Sequence, residues 1–503
     1  LAVCRTSLSQ LYQFWGDVRL HSEAYFEAEA YFEAEAYFEA AIAVDASNLQ
    51  ALQNLTTAQL AREREQEHQK LTAAPEIPER LILKARSWLK QSPGASYHPL
   101  YERDSEKSRF LNLQYACQGL NCQPCFNRLH EEFSPVKLGA AHYRLANQSE
   151  PLEFDRDEFT AVIPNGRSWV MPQTSWWRVC EAIATITPDN ALLADLSREY
   201  PGELPGCPYA AQKQWEHRIF HKSQLPPVEQ IEGTVVTLTG LSPNVYFHWL
   251  IDILPRLNTL WRSDISRYPI DFFYVNSKSK PFQRETLELL GIPLNRVIES
   301  DHHPHIQATT LISPSFVSEV GIVTPKTIEF LRAQFLSPFV SPAPETDQPS
   351  RLFSSYLDRL YISRRSARYR RVINEAELID MLKQRGFTVL ALEDYSVIEQ
   401  IQFFHHAQTI VAPHGAGLTN LIFCQPETTV IELFSPSYIR HYYWPISSYL
   451  KLNFYYLVGE SLPCTPFRKL MYPDSLTEDF WVDLSQLEKM LRFSNTNSPN
   501  SRN

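Results

Sequence analysis

The chain has 503 residues and a mass of 58.2 kDa, enough for about three domains. With 44% hydrophobic residues, 21% charged residues and 8 cysteines, it is excluded from the disordered, collagen-like and disulfide-scaffold classes. A formal charge of −10 argues against a nucleic-acid-wrapping surface, and no apolar run approaches the ~18 residues of a transmembrane span.

Residues 22–41 repeat the unit Tyr-Phe-Glu-Ala-Glu-Ala with a period of six, free of Gly and Pro and rich in helix formers. A period of six does not close on a 3.6-residue helix, so Tyr25, Tyr31 and Tyr37 fall 120° apart at about 100° per residue and form no single stripe. Gly16 and Ala28 fit a first helix and the start of a second; Ala34, Phe38 and Ala41 fit that second helix, and Leu52 and Leu55 the next unit. The segment 1–72 thus resembles a tetratricopeptide repeat carrying a tandem hexad insertion, a helical hairpin that stacks on neighbours and binds a protein partner. Residues 63–72 read as a charged, solvated helix end.

From 73 the sequence turns Pro-rich and aromatic. Gly233–Thr239 reads as a strand, Tyr246–Trp261 as a helix, Asp271–Val275 as a strand and Pro281–Leu290 as a helix. Asp301-His-His-Pro-His305 reads as a loop. Ser337 to Ser350 holds four prolines among polar residues and reads as a linker. Beyond it come strand Arg359–Ser363, a helix that Asn374 is expected to cap with Glu377 three residues on, and strand Phe387–Leu392. Helix Val397–His406, strand Thr409–Ala412, a short helix from Gly417, strand Thr429–Phe434 and a helix around Trp444 complete the series. Such alternation predicts an α/β protein: helical segment 1–72, a Rossmann-like unit 73–336, linker 337–352, a second Rossmann-like unit 353–493 and a disordered tail 494–503.

With only 15 glycines in the chain, the run Thr409-Ile-Val-Ala-Pro-His-Gly-Ala-Gly-Leu-Thr-Asn420 stands out. A buried strand runs into His414, Gly415, Ala416 and Gly417, then a helix start and Asn420; backbone N–H groups there suit an anion. Glu432, inside an apolar strand, needs a partner such as a ribose diol. Ser363-Arg-Arg-Ser-Ala-Arg-Tyr-Arg-Arg371 puts five arginines in eight residues, with Arg364 and Arg365 placed to face a diphosphate. In the first unit His248, Asp252 and Arg256 stand four residues apart, one polar stripe on a regular helix, with a general base among them.

The His-Trp-Leu-x-Asp-x-Leu-Pro-Arg helix, the strand ending in Ser-Arg-Arg, and Pro-His-Gly-Ala-Gly-Leu-Thr-Asn followed by Val-Ile-Glu-Leu-Phe together resemble glycosyltransferase family 61 over residues 230–460. The resemblance implies a GT-B pair of domains with a cleft between them, and inverting transfer to a glycan or protein hydroxyl without an obligatory metal or other cofactor. It puts the nucleotide sugar against Arg364, Arg365, His414, Gly415 and Glu432, and the acceptor against His248 and Asp252. Which of those two is the base stays open.

Two other patterns are read as decoys. Asp155-Arg-Asp157 has the form of a metal-holding Asp-x-Asp but lies in a polar stretch, Glu-Phe-Asp-Arg-Asp-Glu, and reads as a charged loop. Cys117, Cys122 and Cys125 have metal-ligand spacing and need a fourth ligand such as His130, Cys180 or Cys207. A Rossmann oxidoreductase is disfavoured because no Gly-x-Gly-x-x-Gly follows the first strand. The remaining alternative is a non-catalytic repeat scaffold with a degenerate transferase domain. The low cysteine density fits a cytoplasmic protein, peripheral to a membrane at most.

Overall fold

The computed structural model describes residues 82–99, 158–172, 182–199, 217–336 (less 223 and 319), 358–440, 442–462 and 477–496. It adds short pieces at 136–138, 141–143 and 471–472 and the single residues 55 and 468. The repeat segment therefore lies outside the described residues except for Leu55, which is helical. So do the linker 337–352, Asp155, Asp157, Cys117, Cys122, Cys125, His130, Cys180 and Cys207.

The described residues form a mixed α/β structure on two main sheets. In the first, β1 (Phe159–Pro164), β2 (Arg167–Val170) and β3 (Ala182–Ile186) precede β4 (Glu229–Thr237). After a helical segment over 246–262 come β5 (Phe272–Val275), α1 (Pro281–Leu289), β6 (Val297–Glu299), β7 (His305–Pro314) and α2 (Pro325–Phe335). Strands β7, β4, β5 and β6 lie side by side and parallel. Both β1 and β2 pair antiparallel with the free edge of β7. The first unit is thus a parallel quartet extended by antiparallel strands, a mixed sheet of eleven strands and not a purely parallel one. His305 opens β7, and only the residues before it form the expected loop.

The second sheet is parallel throughout. It comprises β8 (Arg359–Ile362), β9 (Thr388–Leu390), β10 (Thr409–Pro413), β11 (Thr429–Phe434) and β12 (Asn453–Val458). Helices α3 (Glu375–Lys383), α4 (Val397–His406), α5 (Tyr443–Tyr449) and α6 (Leu484–Thr496) accompany it. The spatial order is β9-β8-β10-β11-β12, so the order reverses between β8 and β10. In open parallel sheets a ligand crevice forms beyond the strand ends at that reversal, because the connecting loops diverge to opposite faces there. Arg364 follows β8 and His414 follows β10, which places both at that point.

Several local expectations are corrected. Asn374 stands at the N-terminus of α3 but its side chain does not cap it; the amide instead bonds both ways with the backbone of Val482, at 2.9 and 3.0 Å. The helix expected from Gly417 is a 3-10 helix over Ala416–Phe423. The α6 helix runs to Thr496, three residues into the expected tail.

The helix expected over 246–261 is interrupted. A short α turn (Tyr246–His248) leads into a π turn (Trp249–Ile253), and α geometry resumes over Arg256–Arg262. Pro255 supplies a reason: lacking an N–H, it cannot bond the carbonyl four residues back, and the backbone relaxes into the wider turn ahead of it. Leu254 N–H accordingly bonds the Trp249 carbonyl, five residues back, at 3.1 Å.

One apolar cluster serves both sheets. It includes Val236 and Val275 beside the first, Phe330 and Leu331 from α2, and Ile362, Ala412 and Val430 on the second.

Candidate functional site

The segment after β4 carries the first dyad. His248 Nδ1 and Asp252 Oδ2 are 2.6 Å apart, and both side chains are mostly buried. Asp252 Oδ1 accepts the Gly321 backbone N–H at 2.9 Å, so both carboxylate oxygens are engaged. This leaves His248 Nε2 as the atom of the pair able to exchange a proton with a ligand.

Arg256 does not join that stripe. The π turn shifts the register, and its guanidinium lies buried among main-chain carbonyls. Nη1 donates to Thr239 O at 2.8 Å, while Nε and Nη2 donate to Pro314 O at 3.1 and 2.7 Å. It also stacks 4.7 Å over the Phe316 ring. Burial lowers its pKa to about 9, which still leaves it a cation at neutral pH. Arg256 therefore ties the carboxyl ends of β4 and β7 together, a structural role in place of the ligand contact expected of it.

The second dyad lies at the reversal of the second sheet. Glu432 on β11 is fully buried, and its Oε1 is 2.5 Å from His414 Nδ1 at the end of β10. The carboxylate thus meets a histidine, where a ribose had been expected. Burial raises the Glu432 pKa well above the usual range, so the pair holds a shared proton readily. Aromatic rings enclose His414: Phe434 stacks at 5.2 Å, Tyr442 at 6.1 Å, and Tyr438 and Tyr443 are each tilted at 5.3 Å.

Beside this dyad stands Arg364, half-buried, with Nη2 on Tyr369 O at 3.0 Å and Nε on Arg370 O at 3.3 Å. Burial, then the neighbouring Arg370, bring its pKa down to about 10. A Cβ at position 415 would sit 2.0 Å from Arg364 Nη1, so Gly415 is needed to admit the guanidinium. Gly417 serves packing, since a Cβ there would lie 2.6 Å from Leu392 Cδ1. Ala416 begins the 3-10 helix, and its carbonyl accepts the Thr419 hydroxyl at 2.6 Å.

Arg365 points elsewhere. It makes an exposed pair with Asp394 at 2.5 Å, on the solvent side of the turn. Arg370 and Arg440, two residues the sequence reading did not single out, approach the site instead. Their guanidinium carbons lie 4.1 and 4.9 Å from the centre of the Tyr438 ring, the ring that leans on His414. Among the described residues neither Arg364 nor Arg440 forms an ion pair with a carboxylate. Arg440 lies in the loop six residues beyond the carboxyl end of β11, and its place on that side of the sheet was the available signal.

Asn420 is fully buried and joins the two units. Its Oδ1 accepts the Tyr246 hydroxyl at 2.8 Å, and its Nδ2 donates to Gln400 Oε1 at 3.0 Å. This is a structural assignment in place of a donor contact. Phe247 lies 5.1 Å from Tyr442 and 5.2 Å from His248, so an aromatic layer runs from one dyad to the other. No group of three His, Cys, Asp or Glu able to hold a metal ion occurs among the described residues. Among them, too, no helix is long and apolar enough to cross a membrane.

The segment that runs from the first dyad to the residue before Glu432 is similar to a known family. Residues 246–431, that is 186 of the 503 residues, match the family model described as Glycosyltransferase 61. Its relatives include the EGF domain-specific O-linked N-acetylglucosamine transferases of Canis lupus familiaris and Bos taurus. Each is 32% identical over 82 residues, 15% of this chain and 16% of that protein. The Gallus gallus protein is 33% identical over 82 residues, 15% of each chain. The aligned part thus spans about one sixth of the length of these relatives.

Proposed function

We propose that the protein is an inverting glycosyltransferase of GT-B type, moving a sugar from a nucleotide-sugar donor to a hydroxyl of a glycan or protein. The names of its relatives favour N-acetylglucosamine as the sugar and a protein hydroxyl as the acceptor. The observation that carries the reading is the cluster of Arg364, Arg370, Arg440 and His414 at the order reversal of a parallel sheet, within or beside the family match.

His248 Nε2 takes the proton of the acceptor hydroxyl, and Asp252, held by His248 Nδ1 and Gly321, orients the ring and stabilises the imidazolium. The acceptor oxygen attacks the anomeric carbon as the bond from that carbon to the diphosphate oxygen breaks. The negative charge on the departing diphosphate is met by Arg364, Arg370 and Arg440, with the start of the 3-10 helix at Gly415 and Ala416 adding backbone donors. No metal or other cofactor has a step in this scheme. The segment 1–72 is assigned to a protein partner, and the compartment is assigned as cytoplasmic.

A donor screen scoring both hydrolysis and transfer, run with and without EDTA, tests the proposal. Turnover should survive chelation, and Asp252→Asn should lower it by about 10²–10⁴ with donor affinity nearly unchanged. Loss of activity with EDTA, restored by manganese, would return the work to Asp155 and Asp157. Absence of any nucleotide-sugar binding would leave the scaffold reading.

A further inference from the structure

The Tyr246–Asn420 contact joins segments that each carry one dyad. Tyr246 stands two residues before His248, at the start of the turn that becomes the π turn. Asn420 lies within the 3-10 helix Ala416–Phe423, and Gly415, the residue that precedes that helix, borders Arg364. The chain of bonds continues past Asn420: Gln400 Nε2 donates to the carbonyls of Leu392 and Tyr395 at 2.8 and 3.0 Å, next to the Asp394 loop. Asn420 donates once and accepts once, and Gln400 donates twice and accepts once, which fixes the orientation of both amides. The Tyr246 ring is held edge-on against Phe282 at 5.3 Å, so the hydroxyl has little freedom to look elsewhere.

Other polar contacts between the units lack this placement. Arg332 Nη1 donates to the carbonyls of Ile422 and Cys424 at 2.6 and 2.9 Å, and Val397 N–H donates to Glu285 at 2.6 Å. These hold the units together without reaching either dyad. Asn420 sits in a 3-10 helix, and the short α turn that holds Tyr246 runs directly into the π turn; 3-10 and π turns have weaker internal bonding than an α-helix and yield more readily to a push at one end.

We infer that Tyr246 is a positioning residue: the Tyr246–Asn420–Gln400 chain transmits occupancy of the arginine-lined anion pocket to the His248–Asp252 dyad, ordering that dyad when a nucleoside diphosphate is bound. The inference rests on the donor-site reading above. Its physical content is a coupling between two sites through one buried side-chain bond, which a static contact alone would not produce. Ordering the base only beside a bound donor would also keep acceptor activation in step with donor occupancy.

Hydrogen exchange of the amides of residues 247–254, with and without saturating UDP, tests it on the full chain. In the wild type UDP should raise protection there by about tenfold, the scale on which local opening equilibria report. Tyr246→Phe keeps the ring and removes the hydroxyl; it should bind UDP within about threefold of the wild type yet lose that rise. If that variant does not fold, Gln400→Met breaks the far link and should abolish the rise in the same way. Arg332→Met, which loosens the units away from the chain, should lower the melting temperature and keep the rise. An undiminished rise in Tyr246→Phe, or an equal loss in Arg332→Met, overturns the inference. UDP binding to the wild type with no rise overturns it alone. No UDP binding at all overturns the donor-site reading, and the inference with it.

Discussion

At the scale of single residues, the two arginines of the Ser-Arg-Arg turn separate sharply. Arg364 is half-buried against Gly415, whereas Arg365 forms an exposed pair with Asp394, the kind of surface contact worth about 0–1 kcal/mol. Arg364→Ala should therefore weaken UDP binding by about ten- to a hundredfold, equivalent to 1.5–3 kcal/mol for a charge-assisted contact, while Arg365→Ala should move it by less than about threefold. Gly415→Ala is a sharper probe, because the new methyl would collide with the movable end of Arg364 and not with backbone. It should fold and show the same affinity loss as Arg364→Ala; isothermal calorimetry with UDP reads all three. Equal losses for Arg364→Ala and Arg365→Ala would mean that the turn rearranges around the anion.

Among elements, the strands legible in the sequence were those with apolar runs bounded by polar turns, such as Phe272–Val275 and Thr429–Phe434. The segment His305–Pro314 escaped notice because Gln307, Thr309 and Thr310 break its apolar pattern, although it is central to the first sheet. The site was legible in its residue types and not in its pairings. Glu432 needed a buried partner, and His414 was already singled out, but only the register that sets Ala412 opposite Glu432 on neighbouring strands brings them together. Arg256 was misplaced because equal spacing along a regular helix was assumed, and Pro255 broke that regularity. Arg256 also yields a prediction at this scale. Arg256→Met keeps the apolar stem but strands the carbonyls of Thr239 and Pro314, each at about 1–3 kcal/mol. Stability should fall by roughly 2–5 kcal/mol in denaturant titrations, whereas replacement of a ligand-contacting arginine would leave the unfolding midpoint nearly unmoved.

Over the whole molecule, two buried histidines contribute to the response to acid. His217 bonds the carbonyls of Ile183 and Arg198, His305 that of Pro226, and burial lowers both pKa values from 6.5 to about 4. In each case the folded value lies below the unfolded one, so the unfolded chain takes up the proton first. Their contribution is complete above about pH 6.5 and is lost as pH falls towards 4, by up to about 1.4 kcal/mol per pH unit for each proton. Urea midpoints at pH 7.0, 6.0 and 5.0 should decline, and His217→Gln should flatten the decline by close to one proton. A slope unaltered in that variant would show that His217 is charged in the fold.

The apolar cluster shared by the two sheets bears on how substrates come and go. Swinging the units apart as rigid bodies would wet Phe330, Leu331, Leu418 and Leu421 together, at about 25 cal/mol for each Å² of apolar surface exposed. It would also break the Arg332 and Tyr246 bonds between them. A wide hinge stroke therefore carries both costs at once. Small excursions of the loops at the sheet ends leave that apolar layer and those bonds intact, which makes loop motion the less costly way to admit and release ligands.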